Sequence, residues 1–406
     1  MRWLSTALVI LATSLVTVSA ASGPTQCLAF DINWNLLAFG YGGKDYNAGT
    51  QDSWGTSGSA TDITTSGRPP FDQPNVQCFL SQHCTRTNAN HHRHRRYQFT
   101  NAIYVINGDS KNPTTVYIYD AMAKSWSAQM TTTTPATSGG PQFDPTNFGG
   151  ILDHDTNVFY AYSNAELFSL DMGLLKSANS TAIPWVDVQK PNFATGQSTA
   201  SYQPVMALAQ NHIHFLGLPG LPAGDAMIFV IHFSFLQPTP QSYGSFPATH
   251  GRAASFFQQT GVQTEFAFIP DDGSATYVVN VITNTTKTLT GPTTKDSSAT
   301  YATSTSALVQ LSTSAGVSWM GYDSSSGTGT AWSAVKALPS VNLTSVTSGS
   351  ASSTSSGAVK PSGSAGTSSG GGSSSSKSGA VSGRVGKGWC GSLVVGVLGV
   401  GLGLVV

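Results

Sequence analysis

Charged residues are scarce in this sequence, and their scarcity excludes several classes of protein. Asp, Glu, Lys and Arg make up 9% of the 406 residues, and their formal charges cancel. Such a sequence offers no basic surface for a phosphate backbone, so we expect no nucleic-acid partner. Glutamate occurs only at Glu166 and Glu265. No pair of carboxylates suited to acid–base catalysis can be assembled from the sequence, and we assign no catalytic residue and no cofactor.

The strong helix formers Lys, Glu and Leu are also scarce, whereas Gly, Ser and Thr are abundant. Strands draw on Thr, Val, Tyr and Phe, and helices draw on the residues that are rare here. The composition therefore predicts an all-β domain.

The N-terminal end carries a processing signal. Residues 1–20 join a positive start at Arg2 to an apolar run and to the small residues Val18, Ser19 and Ala20. This is the pattern of a secretory signal peptide, with cleavage expected after Ala20. The apolar run is short for a membrane span, which needs about 20 residues.

The C-terminal end has the composition of a spacer followed by a removable tail. Residues 341–383 are mostly Ser, Thr, Gly and Ala, so they bury too little apolar surface to fold, and we expect a disordered stalk. The small residues Ser378, Gly379 and Ala380 precede residues 384–406, a short spacer and an apolar end. This order predicts a glycosylphosphatidylinositol (GPI) anchor attached at Ser378. A tail-anchored helix is the alternative.

Export makes disulfide bonds the default for the cysteines. Cys390 belongs to the predicted tail, which leaves Cys27, Cys78 and Cys84 in the mature chain. One bond and one free thiol is the simplest arrangement. Cys78 can pair with Cys84 across a small loop or with Cys27 across two similar segments, and the sequence does not decide between them.

One motif recurs along the chain. Thr100–Ile106 aligns without gaps with Thr156–Tyr162, and weaker copies follow. Each copy is preceded by one candidate strand and followed by another after a polar turn, and a short fourth strand fits Trp126–Met130 and Trp185–Gln189. The aligned aromatic residues are Tyr104, Tyr160, Phe215, Phe266 and Trp319, at spacings of 56, 55, 51 and 53 residues.

Four short strands recurring at this period are typical of β-propeller blades. With a degenerate copy before residue 80, the repeats predict six blades over residues 21–340; seven is the alternative. Blades bury their faces against one another, so we expect the recurring aromatics to form the core between blades and not to bind a ligand. The last strands, near Leu338, are expected to pair with the first blade and close the ring.

The repeats resemble those of kelch or galactose-oxidase-type propellers. Val116–Asp120 followed by Trp126 shows the family's pattern of a strand ending in Asp and a Trp after a short turn, and Leu167–Asp171 with Trp185 repeats it. The family's Gly-Gly doublet is replaced here by Asn107-Gly108 and by Ser163-Asn164. No set of residues matching the copper site of the oxidases is found, so the resemblance implies the architecture only. The overall layout resembles that of a fungal cell-surface protein.

A basic, histidine-rich stretch is the densest chemical signal. His83 and Cys84 precede a run from His91 to Arg96 that holds three further histidines. Imidazole and thiolate suit zinc or copper, but the spacing defines no closed site, and a solvated loop is the plainer interpretation. The run ends in Arg-His-Arg-Arg, the form cut by kexin-type proteases, so processing after Arg96 is a further hypothesis.

Other residues attract weaker hypotheses. Asn179, Asn284 and Asn342 begin glycosylation sequons, and the first two fall in predicted loops. The Asp153-His154-Asp155 triplet fits either a cation or a turn held by its own carboxylates. His212 and His214 lie on one face of a strand, as a site or as satisfied hydrogen-bonding groups.

Together these features predict a glycoprotein on the outer face of the plasma membrane or in the cell wall, attached to the membrane through a GPI lipid. We expect the propeller to act as a binding or adhesion module whose ligand is wall polysaccharide or a surface protein. A tethered hydrolase or oxidase and a structural wall component are the alternatives.

Overall fold

The computed structural model describes residues 25–341 except 86–95, 134, 136–138, 194–195 and 200. The predicted signal peptide, Asn342, Ser378 and nearly all of the predicted stalk and tail lie outside the described residues. The side chains of 82–85 and 96–99 are also outside them.

The described chain forms six antiparallel sheets in chain order, each a blade of a propeller. Blade one contains β1 (Cys27–Phe30), β2 (Leu36–Tyr41), β3 (Lys44–Asn47) and β4 (Thr61–Asp62). Blade two contains β5 (Gln77–Thr85), β6 (Arg96–Ile106), β7 (Val116–Asp120) and β8 (Ser125–Gln129). Blade three contains β10 (Gly149–Asp153), β11 (Val158–Ser163), β12 (Glu166–Asp171) and β14 (Val186–Gln189).

The remaining three blades follow the same plan, with a split outer strand in blades four and six. Blade four contains β15 (Val205–Ala209), β16 (His212–Leu216), β17 (Asp225–Val230), β18 (Phe235–Leu236) and β19 (Gln241–Ser242). Blade five contains β20 (Gly251–Ser255), β21 (Glu265–Pro270), β22 (Ala275–Asn280) and β23 (Thr285–Thr290). Blade six contains β24 (Thr300–Thr303), β25 (Ala307–Ser312), β26 (Gly316–Asp323), β27 (Thr328–Gly329) and β28 (Ser333–Ala334).

Two small elements complete the fold. A parallel pair between β9 (Thr131–Thr132) and β13 (Ile183–Pro184) joins the rims of blades two and three. Short 3₁₀ helices occupy Gln51–Ser53 and Ile231–Phe233. Within the described residues, no helix is long and apolar enough to cross a bilayer.

The outer turns are set by short acceptor side chains at the end of the third strand. In five of the six blades this strand ends in Asn or Asp, whose carboxylate or amide oxygen accepts a backbone N–H two residues later. Asx turns of this kind reverse the chain without a longer loop. The five residues are Asn47, Asp120, Asp171, Asn280 and Asp323.

The hydrophobic core is divided into six clusters, one in each interface between neighbouring blades. The first strand of each blade contacts that of the next, and β24 contacts β1, so the ring is closed. Tyr104, Phe215 and Phe266 are fully buried in these clusters, which confirms their predicted core role. Tyr160 and Trp319 pack against the clusters but are only partly buried.

The predicted assignment of segments to strands is wrong in blade six. The sequence repeats place Trp319 in the second strand of the blade, but it lies in the third, β26. The second strand is β25, whose core residues are the aliphatic Leu308 and Val309 and not an aromatic residue. The second strand of blade five begins at Glu265 and that of blade six begins at Ala307. These two residues are closer in sequence than the spacing of 51 to 56 residues between the aligned aromatics. Because Trp319 aligns with the aromatics of the earlier blades, each predicted strand of blade six is shifted by one strand, and β24 has no predicted counterpart.

Ring closure also differs in detail from the prediction. All four strands of blade one come from the N-terminal part of the chain. The segment after β28 nevertheless hydrogen-bonds to blade one, since the N–H groups of Lys336 and Ala337 donate to the Trp54 carbonyl and Ala60 N–H donates to the Ala337 carbonyl. The two ends of the ring are thus joined by backbone bonds outside the sheet itself.

The propeller has two distinct faces. The upper face is formed by the turns that join strands one to two and three to four of each blade, and the lower face by the remaining turns and the connections between blades. The chain enters the ring at the lower end of β1, at Cys27. It ends, where described, at Val341, which packs against Gly42 in the lower turn between β2 and β3. Both ends of the ring are therefore on the lower face.

Candidate functional site at the upper face

The first strands of the six blades surround an axial cavity of about 150 Å³. Its wall combines apolar side chains such as Leu28 and Met206 with polar ones such as Ser255 and Thr303. Strands packed around an axis leave such a space because small residues such as Ala254 alternate with larger ones. The volume of the cavity lies below the range usual for small-molecule sites, so it is not the main candidate for a ligand site.

Three rings meet near the upper end of this cavity. The Phe257 ring lies 5.4 Å from that of Trp34 and 4.8 Å from that of His154, measured between centroids. Burial lowers the pKa of His154 to about 4, so its imidazole is neutral at physiological pH. The three side chains come from the upper turns of blades five, one and three, and they narrow the cavity at the upper face.

Asparagine side chains link successive blades at the same level. Asn157 and Asn211 directly precede the second strand of blades three and four, and Asn101 lies within the longer second strand of blade two; each has a positive φ. Asn101 Oδ1 accepts the N–H of Ile32, and Asn157 Nδ2 donates to the Tyr104 hydroxyl at 2.7 Å. Asn211 Nδ2 donates to Asp155 at 2.7 Å. Each residue thus ties its blade to the preceding one.

The Asp153-His154-Asp155 triplet lies in the turn between β10 and β11. Asp153 is fully buried, and its carboxylate accepts hydrogen bonds from Asp155 N–H and from the Thr156 hydroxyl. Burial raises the pKa of Asp153 to about 6. Asp153 therefore accepts hydrogen bonds from its own turn, as expected if the carboxylates of the triplet hold the turn together. Among the residues that the structure describes, no group of three His, Cys, Asp or Glu is placed to hold a metal ion.

His214 is buried in the core between blades four and five. It shares a 3.0 Å hydrogen bond with the Tyr243 hydroxyl and packs against Phe266, while His212 is half-buried nearer the upper face. Burial is the main cause that lowers the pKa of His214, to about 3. His214 is thus a neutral core residue.

Acidification should destabilise the propeller through His214. Because its pKa is lowered in the folded state, the unfolded chain binds a proton near pH 6.5 that the folded chain does not, so stability falls as the pH drops below 6.5. Between pH 7 and pH 5 this residue should remove about 2 kcal/mol from the free energy of unfolding. Urea denaturation at both pH values should show that His214→Gln reduces the loss by that amount.

The control for this experiment is Tyr243→Phe, which removes the hydroxyl and leaves the imidazole. It should lower stability at both pH values and retain the pH dependence. Asp153 acts in the opposite sense, because its raised pKa makes the fold more stable at low pH, but it contributes equally to all three proteins. An unchanged pH dependence in His214→Gln would contradict the assignment.

A cleft of about 310 Å³ opens on the upper face at the seam between blades six and one. Its walls carry Asn33, Trp34, Gln51 and Asp52 from blade one, facing Gln259 of blade five and Ser306 of blade six. The Ser306 hydroxyl donates to Gln51 Oε1 at 3.0 Å and so joins the two walls. The cleft therefore combines an indole ring with amides, hydroxyls and one carboxylate.

The turn that carries Trp34 is held in place by Asp31. The Asp31 carboxylate accepts the N–H groups of Asn33 and Asn35 and the side-chain amide of Asn35, and its carbonyl accepts the N–H of Trp34. Trp34 has a φ of 60°, a left-handed conformation that is rare for a bulky residue. Such strain persists only where the surroundings determine it, and it often marks a functional site.

Exposed apolar side chains occupy the outer turns of the upper face in four consecutive blades. They are Met122, Leu174, Phe233 and Ile282, of which Met122 and Phe233 are 72% exposed. Blade one has Ala48 and blade six has Ser325 in the corresponding turn. These four exposed apolar side chains and the cleft thus occupy different sectors of the upper face.

None of the other predicted site residues that the structure describes lines this cleft. Cys27 and Cys78 form a disulfide that joins β1 to β5, and this is one of the two pairings that the sequence left open. Cys84 and Arg96 belong to β5 and β6, and the run His91–Arg95 lies outside the described residues. Asn284 is exposed in the upper turn between β22 and β23, and Asn179 is exposed beside β8.

Sequence reasoning missed the cleft. The available signal was Asp31-Ile32-Asn33-Trp34, an Asx-turn sequence that ends in an aromatic residue. This sequence places Trp34 in a turn, but only the position of blade six shows that this tryptophan lines a cleft.

The geometry defines the class of this chain as a six-bladed β-propeller with a polar cleft on its upper face. No protein-family model matches the sequence, and no curated protein matches it.

Proposed function

We propose that this protein is a GPI-anchored extracellular propeller that acts as a binding or adhesion module at the cell surface or in the wall. The observation that carries the proposal is that the described propeller begins, at Cys27, and ends, at Val341, on its lower face. A propeller held through its C-terminal side presents the cleft on its upper face away from the point of attachment.

The sequence patterns support the same proposal. The leader at 1–20, the stalk at 341–383 and the tail at 384–406 follow the order of an exported, lipid-anchored protein, with Ser378 as the attachment residue. The Cys27–Cys78 bond suits an oxidising environment. We further propose N-linked glycans at Asn179, Asn284 and Asn342, and kinship with kelch-type propellers in a fungal surface protein.

Two measurements test the proposal. Phosphatidylinositol-specific phospholipase C should release the mature protein from cells whose walls have been removed, and a Ser378→Leu variant should lose surface display. The released protein should then sediment with isolated cell walls or with cells that carry its protein ligand. Retention in the membrane fraction after removal of the wall and lipase treatment, while other GPI proteins are released, would contradict the anchor. Failure to associate with walls or cells would contradict the binding role.

A further inference from the structure

We infer that the cleft between blades six and one is a binding site for a neutral oligosaccharide, with Trp34 as the stacking platform. This inference rests on the proposed binding function and assigns its ligand class and its site. It begins from the side chains that line the cleft.

The aromatic part of the cleft suits one face of a sugar ring. A pyranose presents C–H groups on its face and hydroxyls around its edge, so it needs a flat apolar surface bordered by hydrogen-bonding groups. Trp34 is partly exposed at the cleft, while the rest of its ring packs against Phe30 and Phe257, and an indole is the largest aromatic surface among the natural side chains. The Asp31 turn fixes its backbone before a ligand arrives, which lowers the entropic cost of binding.

The polar part of the cleft suits the hydroxyls. Asn33, Gln51 and Gln259 offer amide donors and acceptors, Asp52 offers a carboxylate acceptor, and Ser306 offers a hydroxyl. Asn33, Asp52 and Gln259 are exposed, so they can exchange water for ligand without breaking the fold. Convergent polar groups of this kind fix the orientation of a bound ligand and provide specificity.

The charge of the cleft selects among sugars. Asp52 is the only charged side chain among its described lining residues, and no Lys or Arg is among them. An anionic polysaccharide would place its carboxylates near Asp52 without a compensating cation, which disfavours binding. The volume of about 310 Å³ lies at the lower end of the range for small-molecule sites, which suits a short stretch of a chain lying across the seam.

The test is calorimetric titration of the full folded protein with three defined probes: a β-1,3-linked glucose hexamer, an N-acetylglucosamine hexamer and an oligogalacturonate of equal length. We expect at least one neutral hexamer to bind, and the anionic oligomer to bind at least about tenfold more weakly. Trp34→Ala should weaken the neutral ligand at least about tenfold, the change that a loss of 1.4 kcal/mol produces. Gln259→Ala and Asp52→Asn should each weaken it about threefold or more.

The matched control is Phe233→Ala, which removes an equally aromatic and more exposed side chain from another sector of the same face. It should leave the affinity unchanged. Trp34→Ala alters a strained turn and can therefore lower thermal stability. In that event the affinities of Gln259→Ala and Asp52→Asn, both at exposed positions, provide the test. Affinity that no cleft variant changes, or no binding of a neutral hexamer at millimolar concentration, overturns the inference. If the protein still associates with walls or cells in that case, the proposed binding function stands and its ligand is not this sugar.

Discussion

Removal of the Cys27–Cys78 disulfide should lower the free energy of unfolding by about 4 kcal/mol. The bond closes a loop between cysteines 51 residues apart, and loop closure on this scale removes about that much conformational entropy from the unfolded chain. It also links β1 to β5, the innermost strands of blades one and two. Urea denaturation of Cys27→Ala/Cys78→Ala at neutral pH measures the loss.

Reduction of the wild-type protein with dithiothreitol should reproduce the effect of the double substitution. Cys84→Ala serves as the matched control, because it removes a thiol outside the bond and should leave the unfolding midpoint close to that of the wild type. A double variant within 1 kcal/mol of the wild type would contradict the structural role given to this bond.

Asn157→Ala should destabilise the propeller by about 3 kcal/mol. The side chain is fully buried, and its amide donates at 2.7 Å to both the Tyr104 hydroxyl and the Gly173 carbonyl. Removing it leaves buried acceptors without a donor, at a cost of about 1–3 kcal/mol. Alanine must also adopt the left-handed φ of 59° found here, which adds about 1 kcal/mol.

Asn157→Gly separates the two causes, because glycine accepts a positive φ without strain. We expect it to be more stable than Asn157→Ala by about 1 kcal/mol, yet still less stable than the wild type. Equal stabilities of the two variants would show that the backbone conformation is not strained. Stability of both near that of the wild type would remove the proposed link between blades two and three.

Local signals in the sequence predicted the architecture well. The Asp that ends β7 and the Trp that follows it were identified as a blade pattern, and the structure gives both a physical role. Asp120 accepts the N–H groups of its turn, and Trp126 packs against Phe39 of blade one. The repeated Thr-Asn pair was likewise detected, although its meaning, an asparagine bridging two blades, required the neighbouring blade to be present.

The same reasoning failed where the period of the sequence changed. Blade six replaces the recurring aromatic with Leu308 and Val309, so an alignment based on aromatics shifted to the next strand. The core tolerates the exchange, because Leu308 packs in the interface with blade five and Val309 packs in the interface with blade one.

The cleft was beyond sequence reasoning for a topological reason. Gln51 and Ser306 are 255 residues apart and share a hydrogen bond only because the ring closes between blades six and one. No local pattern encodes that meeting. A single sequence shows which residues can present a ligand-binding side chain, and the closed ring decides which of them face each other.

The most direct test of the account is hydroxyl-radical oxidation of the protein on intact cells, compared with the protein released by phospholipase. The account predicts that Trp34 is oxidised less on cells than after release, because the cleft is occupied there, whereas Phe233 is oxidised to the same extent in both. Equal oxidation of Trp34 in the two states would contradict the claim that the upper-face cleft is the site at which this propeller binds its ligand.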